Sequence, residues 1–310
     1  MRHRSTRIAL AAVAAGMALF GAALPALADD PAPAADPAPV VVGPTGTDQL
    51  GVPTFRVEEG QHLTPQHPVD HPFKGIVTIA MPDGDRSFRV FIPTGLNGPA
   101  PTVVAMPGWA QVSEPELYMH WEKVATARHV VVLYPRGKDL SFNAGRCCGV
   151  AVAEDVDDSA ALIRMLEVEN DFYPQNPSRL YLTGFSNGGM MAYRFACEHP
   201  EMVAAIGVVA AAYVARPLCM PHVAVPAMHI HGRLDATLPW RGTQYSRLLQ
   251  TSLPTVPQTD AVFGHVDYWA GVSFKNVYLK GVGHGWPHVG GLGNYDATGQ
   301  LAAFMLRFHR

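Results

Sequence analysis

Eight short runs of apolar and β-branched residues, set apart by longer stretches of helical character, restrict how this chain can fold more than any other feature. They are Gly75–Ala80, Ser87–Ile92, Thr102–Met106, Val130–Tyr134, Arg179–Thr183, Ala204–Val209, Ala227–His231 and Lys275–Lys280. The first two are joined by Met81-Pro82-Asp83-Gly84-Asp85, a turn-rich segment that suits an antiparallel hairpin. The later ones are separated by enough chain for crossovers. Helices are expected over Pro115–Arg128, Glu154–Val168, Gly189–His199, Thr243–Leu249, Asp260–Trp269 and Ala297–Arg307. Glu154, Asp155, Asp157 and Asp158 place negative charge at the start of one helix, and Pro200 lies just past the end of another. With no internal repeat, the alternation predicts an α/β fold: an eight-stranded, mostly parallel sheet with helices on both faces.

At 310 residues, 48% hydrophobic and 16% charged, the chain can bury a full core, and one globular domain is expected over residues 48–310. Ahead of it stand Arg2, Arg4 and Arg7, an Ala-rich apolar run from Ile8 to Leu24, and Ala26-Leu27-Ala28 before Asp29-Asp30. That is the pattern of a secretory signal peptide over residues 1–28, cleaved after Ala28. Residues 29–47 repeat Pro and Ala, a composition that favours extended backbone and buries no core, so they read as a linker or disordered arm. No later stretch reaches the length needed to span a bilayer, and stable membrane insertion is not expected. The formal charge of −3 offers no basic field, which argues against nucleic acid as a partner. A monomer is expected.

The chemistry centres on Gly184-Phe185-Ser186-Asn187-Gly188-Gly189, a G-x-S-x-G between the apolar Leu180-Tyr181-Leu182 and a helical stretch. Small residues two before and two after the serine let neighbouring backbone approach a strained turn that lifts the hydroxyl clear of the sheet. A serine hydroxyl is a poor nucleophile at neutral pH and needs a base, itself oriented by an acid. Both follow in chain order. Asp235 lies just past the seventh run, in His231-Gly232-Arg233-Leu234-Asp235, and His284 just past the eighth, in Gly283-His284-Gly285-Trp286. In open α/β sheets ligands bind at that edge, so Ser186, Asp235 and His284 should converge there. Asp267 and Asp296 are rival orienting acids, and His288 is the nearby rival base; His229 and His231, sharing one strand face, read as packed or backbone-bonded. The oxyanion of an acyl-transfer intermediate needs N–H donors. The Asn187 N–H is one, and the turn after Met106 should give the second from Trp109 or Ala110, since Pro107 has none. Trp109, Trp240 and Trp286 fall in loops at this edge and could line a substrate cleft. The acids at 154–158 lack a matching ligand cluster, so no metal is expected.

Several blocks resemble bacterial esterases of the polyhydroxybutyrate depolymerase type, relatives of feruloyl and acetylxylan esterases. They are Phe142-Asn143-Ala144-Gly145-Arg146-Cys147-Cys148-Gly149, Val156-Asp157-Asp158, Leu182 to Tyr193, His229-Ile230-His231-Gly232 with Asp235, and Gly283-His284-Gly285-Trp286-Pro287, spread over most of residues 75 to 290. The resemblance implies the α/β-hydrolase fold, a Ser186–Asp235–His284 triad, ester hydrolysis through an acyl-enzyme, and no metal or organic cofactor. Substrates would be short polyester (hydroxyalkanoate) fragments or feruloyl- and acetyl-type esters; the alternative is a cell-envelope acyltransferase of the mycolyltransferase type on the same fold. Where the family usually has His-Gly, this chain has Pro107-Gly108, leaving Trp109 as the matching donor. The segment from Asp139 to Gly149 should wall the cleft. Four cysteines would meet an oxidising compartment. On this topology the 147–148 loop and Cys219 share the strand C-terminal edge while Cys197 ends the nucleophile helix, so Cys219 is expected to pair with Cys147 or Cys148.

Overall fold

Alternation along the central strands sends neighbouring side chains to opposite faces of one sheet, and this arranges the core. The computed structural model describes residues 40–68, 70–215, 224–270 and 273–310, and of 264–270 the backbone only. Its main sheet has ten strands: β1 Gly46–Thr47, β2 Pro53–Val57, β3 Phe73–Ile79, β4 Arg86–Ile92, β5 Ala100–Met106, β6 Val131–Arg136, β7 Gln175–Phe185, β8 Ala205–Val209, β9 Ala227–Gly232 and β10 Phe274–Leu279. The order is β10-β9-β8-β7-β5-β6-β4-β3-β2-β1. Strand β4 runs antiparallel to β3 and β6, β1 runs antiparallel to β2, and the remaining pairs are parallel.

Helices cover both faces: α1 Pro115–Met119, α2 Trp121–Arg128, α3 Gly149–Ala153, α4 Asp158–Phe172, α5 Asn187–Glu198, α6 Val256–Ala270 and α7 Ala297–Met305. Val104, Met106, Leu133 and Leu182 pack with Leu162 and Met165 of α4 and Met190 of α5. Val103, Ala105, Val132 and Tyr181 pack on the other side with Trp121 of α2 and Leu301 of α7. Three helices start on side-chain caps, where Asp157 accepts from the Ala160 N–H, Thr255 from the Gln258 N–H and Asp296 from the Gly299 N–H. No helix among the described residues is long and apolar enough to cross a membrane.

All eight expected strands are present, but the sheet has ten. Phe55 and Val57 are buried and Arg56 is exposed, so β2 carries a two-residue alternation that adds it, with β1, to the edge. Within the stretch read as an arm over 29–47, Val40–Val42 pairs with Gln61–Leu63 and Gly46–Thr47 with β2, while 29–39 lie outside the described residues. The helix expected over Pro115–Arg128 is broken at His120, whose φ is 55°. Met119 and Trp121 are both fully buried, and residues two apart cannot share one helix face, so a left-handed residue turns both inward. The helix expected over Thr243–Leu249 is instead a hairpin of Thr243–Ser246 with Thr251–Leu253. Leu248 is exposed while Leu249 is buried, and Gln250 takes a φ of 53°, so no helical stripe forms there. The helix expected from Glu154 begins at Asp158, after a turn at Asp155 with φ 50°.

One buried acid supplies a stability prediction. Glu169 of α4 is fully buried against Thr102 and Gln175, and burial pushes its carboxyl from the usual 4.5 up to about 8. The folded chain therefore holds a proton that the unfolded chain releases, so this contribution is complete below pH 4.5 and is lost as pH rises through about 8. Glu169→Gln should flatten that decline and exceed wild type by up to about 5 kcal/mol at alkaline pH. Urea unfolding at acid and alkaline pH checks this; parallel profiles would contradict it.

Candidate active site

Strand β7 ends at Phe185 and α5 begins at Asn187, so Ser186 alone makes the turn between them, at φ 52° and ψ −117°. A non-glycine residue held there is strained by about 1–3 kcal/mol, and the surrounding packing enforces it. Ser186 N–H donates to the Val209 carbonyl at 3.0 Å. A Cβ on Gly188 would lie 2.3 Å from the Met106 carbonyl oxygen and 2.4 Å from that of Pro107, so only glycine lets the turn after β5 approach the helix start. Gly188→Ala should accordingly destabilise the fold by about 3 kcal/mol and displace the Met106–Gly108 turn; an unchanged Tm would count against this close approach.

The partners stand on neighbouring strand ends. Asp235 follows β9 and is buried; its Oδ2 lies 2.8 Å from His284 Nδ1, while Oδ1 accepts the N–H groups of Thr237 at 2.9 Å and Leu238 at 2.7 Å. These two backbone donors fix which oxygen faces the imidazole. His284 follows β10, and its ring lies 4.8 Å, centre to centre, from that of Phe185, the residue before Ser186. Among the described residues Ser186 Oγ makes no hydrogen bond, so Asp235 and His284 are joined to each other and Ser186 is not joined to either. The rivals are otherwise engaged: Asp296 caps α7, His288 Nδ1 lies against the Trp286 carbonyl at 3.3 Å, and the Asp267 side chain lies outside the described residues.

The Ala110 N–H donates to the Leu140 carbonyl at 2.9 Å, so of the two N–H groups expected in the turn after β5 that of Ala110 is already engaged. The Asn187 side chain has a role that a motif of spacing did not reveal. Its Oδ1 accepts the Phe142 N–H at 2.8 Å and its amide donates to the Phe142 carbonyl at 2.9 Å. The next residue, Asn143, gives its N–H to Asp158 Oδ2 at 2.6 Å, and Arg194 of α5 binds its carbonyl. Asp158 is buried, which raises its carboxyl to about 6 despite that bond. The acids read as helix-start charge thus divide their work: Asp157 caps α4, and Asp158 ties the 142–149 loop to the start of α4, while Asn187 and Arg194 tie it to α5.

Two expectations are corrected. Trp286 is 4% exposed, and its indole N–H donates to Thr298 Oγ1 at 3.0 Å, so it packs in the core beneath α7 and does not line a cleft. Its loop turns inward because the apolar ring fills the space between sheet and helix. Cys147 and Cys148 are bonded to each other, so neither is available to Cys219, which lies outside the described residues. The anchored loop buries both sulfurs together in the core cluster. Cys197 is also disulfide-bonded. Trp240 is half-buried beside the Asp235 turn, with the Arg233 guanidinium carbon 3.8 Å from its ring centre and the Tyr278 ring 4.5 Å away edge-on. Trp109 is half-buried with its indole nitrogen against Gly149.

Sequence reading also passed over a buried polar chain behind Asp235. His231 Nε2 lies 3.0 Å from the Leu238 carbonyl oxygen and 3.5 Å from Asp235 Oδ2, and its Nδ1 lies 3.1 Å from His229 Nε2. His229 Nδ1 lies 2.6 Å from Asp260 Oδ1, and the Tyr278 hydroxyl donates to Asp260 Oδ2. The alternation His229-Ile230-His231 on a buried strand was its one visible signal.

No protein-family model matches the chain. A poly(3-hydroxyoctanoate) depolymerase of Pseudomonas fluorescens is 35% identical over 103 residues, 30% of this chain and 37% of that protein. A bifunctional acetylxylan esterase/xylanase of Neocallimastix patriciarum is 27% identical over 160 residues, 49% of this chain and 22% of that protein. The chain thus spans well under half the length of these curated relatives. Among solved structures, a thermostable esterase is similar with a TM-score of 0.54 at 18% identity, covering 78% of this chain and 64% of that one. The relatives' names fall within the group that the motif blocks resemble, and the strand order together with the structural likeness identifies the fold as that of the α/β-hydrolases.

Proposed function

We propose that this chain is a secreted, monomeric serine carboxylic ester hydrolase, working through an acyl-enzyme on Ser186. The observation that carries the reading is the 2.8 Å Asp235–His284 bond at the same sheet edge as the strained Ser186 turn. In this mechanism His284 Nε2 takes the Ser186 proton as Oγ attacks the ester carbonyl, and Asp235 stabilises the imidazolium that results. The Asn187 and Trp109 N–H groups receive the oxyanion. His284 then returns the proton to the leaving alkoxide, and water, activated in the same way, releases the acid and frees the serine.

Short hydroxyalkanoate oligomers and feruloyl or acetyl esters are the substrate classes, supported by the names of the relatives and by half-buried Trp109 and Trp240 beside the site. Secretion is supported by the leader pattern of residues 1–28 and by the bonded cysteines. The test is a panel of 4-nitrophenyl acetate, 4-nitrophenyl butyrate, methyl ferulate and hydroxybutyrate oligomers, with and without a sugar acceptor. Acid release independent of the acceptor is expected. Product formed only as acylated sugar would overturn hydrolysis in favour of transfer.

A further inference from the structure

The chain of side chains behind Asp235 has three gaps to bridge with protons: Asp260 to His229, His229 to His231, and His231 to the Leu238 carbonyl. Two neutral imidazoles carry one N–H each and can fill only two of them. A carbonyl oxygen cannot donate, so His231 Nε2 must carry a proton to satisfy Leu238. The third proton belongs to the His229–Asp260 pair, which lets His229 donate from Nε2 to His231 Nδ1. His231 then keeps its one proton on Nε2, and burial, followed by the neighbouring His229, lowers its affinity for a second. Asp260 on α6 is itself held by the Tyr278 hydroxyl from β10. The other groups around the pair are the Tyr193 ring from α5, 6.1 Å from His229, the Trp240 ring, 6.5 Å from His231, and Asp235.

We propose that His231, oriented by the hydrogen-bonded His229–Asp260 pair, is a positioning residue for Asp235: its Nε2–H clamps the Leu238 carbonyl and so fixes the 235–238 turn that presents Asp235 to His284. The Leu238 peptide is held from both ends, its N–H by Asp235 Oδ1 and its oxygen by His231. A neutral His231 beside Asp235 Oδ2 leaves that oxygen's charge to His284. A protonated one, 3.5 Å away, would compete for it. This inference rests on Ser186, Asp235 and His284 acting together.

The test compares kcat, KM and Tm of wild type, Ser186→Ala, His231→Leu, His231→Gln and His229→Leu on 4-nitrophenyl butyrate. Loss of the clamp misplaces the acid without touching the substrate, so His231→Leu should lower kcat about 30-fold at unchanged KM. His231→Gln, whose amide N–H can reach the same carbonyl, should recover to within about threefold of wild type. His229→Leu removes the N–H that meets His231 Nδ1 and so releases the orientation of the His231 ring, and kcat should fall about tenfold at unchanged KM. Wild-type kcat in folded His229→Leu, or equal impairment of the His231→Gln and His231→Leu variants, would overturn the clamp while Ser186→Ala remained inactive. If His231→Leu fails to fold, His229→Leu carries the test through the same kcat readout. Wild-type turnover by Ser186→Ala would instead overturn the active-site reading on which the clamp rests.

Discussion

Ser186→Ala is expected to lower kcat for 4-nitrophenyl butyrate by about a millionfold, to the level left by binding and the oxyanion donors. Its Tm should stay near that of wild type, because among the described residues Ser186 Oγ makes no hydrogen bond that alanine would lose and the backbone N–H bond to Val209 is kept. The size of the effect follows from mechanism: without the hydroxyl no acyl-enzyme forms, and His284 and Asp235 then have no proton to move. Stopped-flow release of nitrophenolate with active-site titration checks it. A loss of only tenfold would mean that another group attacks the ester.

Asp235→Asn is expected to cost about 10⁴-fold in kcat at nearly unchanged KM. The geometry gives the reason. The N–H groups of Thr237 and Leu238 demand an acceptor at the Oδ1 position, so the oxygen of an asparagine would settle there and its amide would face His284 Nδ1. Two donors would then confront each other. His284 would relieve this by moving its proton to Nε2, the nitrogen that must accept from Ser186. The base is lost through its tautomer while the fold persists. Retention of more than a tenth of wild-type kcat would show that Asp235 is not the orienting acid.

Much of this arrangement was legible in the sequence because strand periodicity and turn chemistry are local properties. Val103-Val104-Ala105-Met106 and Leu180-Tyr181-Leu182 announce buried strands, and glycines 184 and 188 bracket a serine where only small residues allow the approach. Chain order then placed Asp235 and His284 at successive strand ends. What stayed hidden depends on contacts between distant segments. Trp286 looked like a cleft residue by position, but its ring is claimed by Thr298 from a helix start twelve residues later. The loop that carries the Cys147–Cys148 bond is held by Asn187 and Asp158, and neither of those two contacts has a signature in spacing. His229 and His231 were seen as a shared face, yet their partners Asp260 and Leu238 come from other elements. The break at His120 likewise reflects the need to bury Met119 and Trp121 together, which helical periodicity alone does not express.

The central claim is that Ser186 carries the acyl group, and rapid-quench peptide mass mapping after mixing with 4-nitrophenyl butyrate tests it most directly. The account predicts a single butyryl group on the peptide containing Ser186, appearing in the nitrophenolate burst, decaying with turnover, and absent from Ser186→Ala. A butyryl group on any other residue within the burst, or full turnover with no acylated peptide at any time, would contradict it.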